Sequence, residues 1–261
     1  MELVDSHCHF DFPAFDADRA EVRERCVEQG LSALVIPGVT AATWERAARM
    51  AAGDPLIHHA EGLHPAFFDA HDPDADLATL TRRLDGPPEG ARPVAIGEIG
   101  LDFRLPSAEH AAQEALLDAQ LAIARDHHLP VIIHCVRAHH RLVGRLRRWG
   151  GPGGVIHAFN GSAEEARAYL DSGFRLGIGG LVTHERNRRL RDIVAGLPAE
   201  ALLLETDAPD MPPEGHAGER NSPAHLPAIA AAVAERRGEG VADVARYTAA
   251  TARSLFGLGS T

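Results

Sequence analysis

Leu3-Val4-Asp5-Ser6-His7-Cys8-His9 opens as a short apolar run and closes on two imidazoles. An open doubly wound sheet places a glycine-rich phosphate loop directly after its first strand. Asp5-Ser6-His7-Cys8-His9 contains no glycine, so that fold is disfavoured. In a parallel barrel, chemistry collects at the C-terminal ends of the strands. Alternate strand side chains share a face, so His7 and His9 are expected to point one way and Cys8 the other.

Outward from this segment, apolar runs at 3–7, 33–39, 57–63, 94–99, 130–135, 154–158, 174–178 and 201–205 are predicted strands. Ala-, Leu-, Arg- and Glu-rich stretches near 16–29, 42–52, 74–84, 107–128, 138–148, 163–172 and 187–195 are predicted helices between them. Two more helices, near 223–236 and 241–255, follow the last strand. Such alternation argues for βα units and a parallel sheet. Gly30 and Gly173 stand where helix C-caps are wanted, and Ser162 through Glu165 reads as a capping box. Pro130 opens a strand, where its missing N–H does least harm. The 261 residues match the ~250 of one closed barrel. The expectation is α/β: one (β/α)8 TIM barrel with an extra C-terminal helix, a single domain over 1–261.

Composition narrows the function. The formal net charge is −11, which disfavours tight non-specific binding to duplex nucleic acid. Three cysteines, Cys8, Cys26 and Cys135, provide no disulfide framework. No basic leader and no long apolar run is present, so a cytoplasmic protein without membrane contact is expected. A monomer or weak oligomer is expected as well. The chain has no lysine, which closes off a carbamylated-lysine metal bridge and Schiff-base chemistry.

The predicted strand ends carry His7 and His9, Glu98, His134, His157, and Glu205-Thr206-Asp207. A single such residue means little, since a histidine or aspartate at a strand end is commonly a structural or turn residue. Their joint fall at one end of five predicted strands points to a metal centre. A pair of ions needs a bridging carboxylate. The expected assignment is His7, His9 and Asp207 on one ion, His134 and His157 on the other, with Glu98 shared. Imidazoles suit zinc, iron or nickel, and carboxylates suit magnesium or manganese, with zinc expected as bound. Cys135 should face away from His134, toward the helices.

These residues resemble the TatD family of metal-dependent hydrolases, deoxyribonucleases within the amidohydrolase superfamily. The resemblance covers essentially the whole chain. It rests on Asp5-Ser6-His7-Cys8-His9, Gly62-Leu63-His64-Pro65, Gly97-Glu98-Ile99-Gly100-Leu101-Asp102, Pro130-Val131-Ile132-Ile133-His134 and Glu205-Thr206-Asp207-Ala208-Pro209. The runs His7-Cys8-His9-Phe10-Asp11-Phe12-Pro13 and Asp207-Ala208-Pro209-Asp210-Met211-Pro212 are similar to its YjjV-like branch. The resemblance implies a TIM barrel, a dinuclear site of the residues named, and action on phosphodiesters such as DNA or oligonucleotide ends. The family often shows His-x-Arg-Asp after strand five. Here the run is His134-Cys135-Val136-Arg137-Ala138-His139, so no role passes to an aspartate there.

The expected mechanism uses a hydroxide bridging the two ions as nucleophile. Asp207 accepts its proton, and His64 donates to the phosphate or leaving group. Arg137, Arg220 and Asn221 are candidate phosphate holders, since guanidinium matches phosphate oxygens. Glu205 and Asp102 are expected to orient ligands. His139 is the further histidine to watch, because it follows strand five. The same chemistry on a carbonyl would make an amide, lactone or carboxyl-ester hydrolase, and fold alone does not choose.

Overall fold

The computed structural model describes residues 1–86 and 91–259. Strands and helices alternate as β1 (Leu3–Asp5), α1 (Arg19–Glu28), β2 (Leu31–Ile36), α2 (Ala41–Gly53), β3 (Ile57–His59), α3 (Pro73–Asp85), β4 (Ile96–Asp102) and α4 (His110–Asp126). They continue as β5 (Val131–Val136), α5 (His139–Trp149), β6 (Gly154–Ile156), α6 (Ala163–Asp171), β7 (Phe174–Ile178), α7 (Arg188–Gly196), β8 (Leu202–Leu204), α8 (Leu226–Arg237) and α9 (Val241–Phe256). The chain divides into two compact units. The first comprises Met1–Ile36, His157–Ala166 and Arg175–Thr261, the second Pro37–Ile156 and Arg167–Phe174.

In the first unit β1 pairs in parallel with β2, Asp5 opposite Leu34, and β7 pairs in parallel with β8, Leu176 opposite Leu202. Ser6 N donates to the Leu204 carbonyl at 3.0 Å, tying the end of β1 to β8. These strands are near-continuous apolar runs, as strands covered on both faces must be; Leu3, Val4, Leu34, Ile36, Leu203 and Leu204 are all buried. The helix α9 buries Val244, Ala245, Thr248, Ala249, Ala252 and Phe256, a helical stripe. Gly257, at φ 62, ends it in the left-handed conformation that glycine adopts without strain.

In the second unit β4, β5 and β6 form a parallel ladder, with Ile99 opposite Ile133 and Ile133 opposite Ile156. Gly100 has φ 147, and a Cβ there would collide with the His134 carbonyl oxygen. Only glycine lets β4 and β5 approach this closely beside Glu98. Under the sheet, the Arg83 guanidinium grips Glu61 with Nε at 2.9 and 3.0 Å from the two carboxylate oxygens and Nη2 at 2.7 Å, and reaches Glu45 at 3.2 Å. The Ser162 and Glu165 capping box forms reciprocally, at 2.7 and 3.2 Å. Gly30 and Gly173 take positive φ at the ends of α1 and α6, as expected.

The predicted helices agree with the observed ones within a few residues, but several predicted strands run too far. The structure ends β1 at Asp5, β3 at His59, β6 at Ile156 and β8 at Leu204. His7, His9, His64, His157 and Asp207 therefore stand in the coil beyond the ladders rather than on strand ends. After β6 and β8 the cause is local backbone geometry. Ala158 and Asp207 take φ 44 and φ 56, which no extended strand permits. Individual bonds replace the ladder: Cys8 N to Val35 O at 3.1 Å, Asp207 N to His7 O at 2.9 Å and His9 N to Ala208 O at 2.8 Å. Glu98 and His134 lie inside β4 and β5, which extend to Asp102 and Val136. No helix of the described residues is long and apolar enough to cross a membrane.

Candidate metal centre

In the first unit the side chains of His7, His9, His157, Glu205 and Asp207 gather. Asp207 Oδ1 lies 3.5 Å from His7 Nε2 and 3.6 Å from His9 Nε2. The left-handed backbone at Asp207 turns its carboxylate toward these rings. His157 stacks on His7 with centroids 3.9 Å apart and planes 9° apart, and its Nδ1 lies 3.6 Å from Glu205 Oε1. Glu205, fully buried, also accepts from the Ala158 amide in a short bond. Donor atoms of His7, His157 and Glu205 all lie within 4.8 Å of one another, close enough to share one ion. Cys8 is buried, with its thiol 3.7 Å from the Ala208 carbonyl, while His7 and His9 both meet Asp207.

Asp5 anchors this cluster through the adjoining backbone. Its carboxylate accepts from the Thr206 hydroxyl at 2.6 Å, the Thr206 amide at 3.0 Å and the His7 amide at 3.2 Å. Complete burial pushes its carboxyl up to about 8, against those bonds. Asp5 thereby fixes the backbone on both sides of the cluster, next to His7 and next to Asp207.

In the second unit the donor set is His64, Glu98 and His134, again within 4.8 Å of one another. Glu98 Oε1 lies 2.8 Å from His134 Nδ1 and 2.9 Å from His64 Nε2. The other nitrogen of His134, Nε2, is 3.4 Å from Asp102 Oδ2. Burial raises the Asp102 carboxyl, but His134 and the Arg104 guanidinium, bidentate at 2.5–3.1 Å, outweigh it and hold it well below the usual range. An ionised Asp102 therefore orients the His134 ring, the role expected of it. Asp102→Asn is expected to weaken divalent-ion retention by about 10- to 100-fold, read by competition with a chelator.

The nitrogens of His64 are distinguishable. Ala66 N donates to Nδ1 at 2.9 Å, so the neutral ring carries its proton on Nε2, facing Glu98. An imidazole nitrogen that carries a proton does not coordinate a metal. His64 thus suits a proton donor better than a ligand, although distance alone groups it with Glu98 and His134.

The other sequence-predicted residues divide. Arg137 is exposed, at φ 55. The Arg220 guanidinium is tied to Asp18 at 2.6 and 2.8 Å and to the Ala14 carbonyl at 2.5 Å, with its carbon 4.7 Å from the centre of the Phe15 ring. Asn221 is fully buried. Its Nδ2 donates to the carbonyls of Thr206, Asp210 and Met211, and its Oδ1 accepts from Ser222 N. Both side chains brace the loop after β8, and a triplet such as Glu219-Arg220-Asn221 does not reveal that its amide faces inward. His139 packs behind the site, its Nδ1 2.8 Å from Tyr169 Oη and 3.3 Å from Cys135 Sγ. Cys135 thus turns toward the helices, as its strand parity predicts. Glu205, expected only to orient ligands, also offers a donor atom beside His7 and His157.

Buried imidazoles and carboxylates converging on shared points are what a metal-dependent hydrolase requires, and the donor chemistry fits divalent cations. The TatD related DNase family model matches residues 4–257, and the chain belongs to the TatD family. A protein of Escherichia coli (strain K12) described as an uncharacterized metal-dependent hydrolase, YjjV, is 37% identical over 257 residues, 98% of this chain and 98% of that protein. A protein of Pantoea ananatis (strain LMG 20103), named a 3'-5' ssDNA/RNA exonuclease TatD, is 42% identical over 253 residues, 94% of this chain and 95% of its own. The crystal structure of the Escherichia coli YjjV superposes with a TM-score of 0.93 at 36% identity, covering 98% of both chains. An uncharacterized amidohydrolase of Saccharomyces cerevisiae shares the fold, with a TM-score of 0.81 at 20% identity over 98% of this chain and 100% of its own. The fold is thus of the TIM-barrel-like α/β class.

Proposed function

We propose that this hydrolase cleaves phosphodiester bonds at the ends of DNA or short oligonucleotides, as one domain, using two divalent cations. The proposed ligands are His7, His9, Glu98, His134, His157 and Asp207, with Glu205 available beside His157. The carrying observation is the set of buried imidazole and carboxylate donors, in which Glu98 Oε1 stands 2.8 Å from His134 Nδ1 and Asp207 Oδ1 stands 3.5 Å from His7 Nε2. Relatives named for single-stranded DNA and RNA exonuclease activity support the substrate class. Bound divalent ions supply Lewis acidity, which lowers the pKa of water and stabilises charge on a phosphoryl oxygen.

The chain's own groups do the rest. Asp207 accepts a proton from the attacking water, since its carboxylate faces the imidazoles and retains slight exposure. His64 holds a proton on Nε2 and delivers it to the leaving oxygen. Arg137, an exposed guanidinium in the turn after β5, meets a phosphate of the substrate. The acidic overall balance suits a small or single-stranded substrate better than a long duplex.

The test is hydrolysis of a short single-stranded oligonucleotide by protein as isolated, after chelation, and after readdition of zinc, magnesium or manganese, with elemental analysis of each sample. Chelation is expected to remove activity at least about 100-fold, since metal catalysis supplies several kcal/mol, and readdition to restore it. Zinc is expected in the protein as isolated. Faster turnover of amides or lactones than of any phosphodiester would overturn the substrate class.

A further inference from the structure

We infer that Phe67 is a stacking platform for an unpaired nucleobase, placed so that the attached phosphate reaches the Glu98 and His134 cluster. The inference rests on the phosphodiesterase proposal and narrows its substrate to nucleotides whose bases are free to stack.

A solitary exposed apolar side chain is ordinary, so exposure alone carries no weight. Position does. Among the described phenylalanines, tryptophans and tyrosines Phe67 is the one exposed, 41% accessible, while the others are buried or half-buried. Its ring stands edge-on to His64, with centroids 5.6 Å apart and planes 80° apart. The His64 ring in turn stands 4.4 Å from that of His134, and its Nε2 is 2.9 Å from Glu98. A partly exposed aromatic ring therefore stands one ring away from the proposed proton donor.

The platform is held in place. Pro65 fixes the backbone after His64. Phe67 N donates to the His64 carbonyl at 3.1 Å, Ala66 N donates to His64 Nδ1 at 2.9 Å, and His71 Nε2 meets the same His64 carbonyl at 2.9 Å. The segment from His64 to His71 is thus tied to the ring it serves, which fixes the Phe67 backbone beside His64. Every base has a π-face, so stacking recognises single strands without demanding a sequence. It also favours substrates whose bases are not already paired, which matches an acidic protein that cannot rely on a basic groove.

The test compares wild type, Phe67→Ala and Phe67→Trp on two single-stranded oligonucleotides, one with ordinary bases and one abasic in its terminal nucleotides. Binding is measured in parallel with a phosphorothioate oligonucleotide carrying a terminal 2-aminopurine, whose fluorescence falls when it stacks. For F67A we expect a rise in KM and Kd of about 5- to 150-fold on the base-bearing strand, little change in kcat, loss of the quenching, and no change on the abasic strand. F67W should restore all three. Unchanged Kd and quenching in F67A, or equal loss on both strands, would overturn the inference. Cleavage that does not depend on Phe67 leaves the phosphodiesterase proposal intact and defeats this one. Phe67-dependent quenching without cleavage does the reverse. Equal metal content in all three proteins shows that the cluster itself is undisturbed.

Discussion

Glu98→Gln is expected to lower kcat/KM on a phosphodiester by about 1000-fold or more, with loss of bound metal and little loss of fold. The carboxylate is fully buried inside β4 and faces two imidazoles, His64 Nε2 at 2.9 Å and His134 Nδ1 at 2.8 Å. Glutamine keeps its volume and hydrogen-bonding reach but not its charge, and a neutral amide binds a divalent cation far more weakly. If metal chemistry supplies several kcal/mol, each 1.36 kcal/mol is tenfold in rate, which sets the magnitude. The measurement is steady-state kinetics with metal counting and circular dichroism on the same preparation. Unaltered activity with an unaltered metal content would remove Glu98 from the site. Lost activity with collapsed secondary structure would assign it a folding role instead.

The second large effect is on stability. Arg83→Ala is expected to destabilise the protein by about 3 kcal/mol, lowering Tm by on the order of 10 °C. Glu61 is buried, and three hydrogen bonds from Arg83 neutralise it, with His59 Nε2 at 3.5 Å as the remaining neighbour. Removing the guanidinium leaves a carboxylate out of water without its main partner, and this is costly. Burial raises the Glu61 carboxyl, but His59 and Arg83 outweigh it and hold it below the usual glutamate range. A depressed folded pKa contributes stability that is complete above the unfolded value and is lost as pH falls through the folded one. In the variant, Glu61 escapes the penalty by taking up a proton. The gap between wild type and R83A should therefore be widest near pH 7 and narrow toward pH 4. Thermal melts at the two pH values check this, and a gap independent of pH would contradict the assignment.

Much of the architecture was legible in the residues. Apolar runs of five to seven residues separated by Ala-, Leu- and Arg-rich stretches, with Gly30 and Gly173 as stops, predicted the observed helices closely. This follows because helix periodicity and capping are local properties. The strand ends were not legible in the same way. Leu3 through His7 reads as one predicted strand, yet pairing stops at Asp5 because Ser6 and Cys8 bond to different neighbours, Leu204 and Val35. No pattern within the segment reports where its partners end.

The roles of individual side chains divide along the same line. His7, His9, His134, His157, Glu98 and Asp207 were visible as a chemical set because so many metal-competent groups follow apolar runs. The sequence could not say which nitrogen of His64 carries a proton, because that depends on Ala66 N donating to Nδ1. Nor could it separate Asn221, whose amide is spent on the carbonyls of Thr206, Asp210 and Met211, from Arg137, whose side chain is exposed.

From its residues alone, then, this chain is fixed in element order, in family and in the kinds of donor atom it brings to a cation. Those depend on side-chain chemistry and on periodicity along a few turns of backbone. Tertiary structure alone decided which donors share a point in space, which polar groups are consumed as braces, and which aromatic ring stays open to solvent. Most of those depend on segments ten to two hundred residues apart, and they exist only once packing has brought them together.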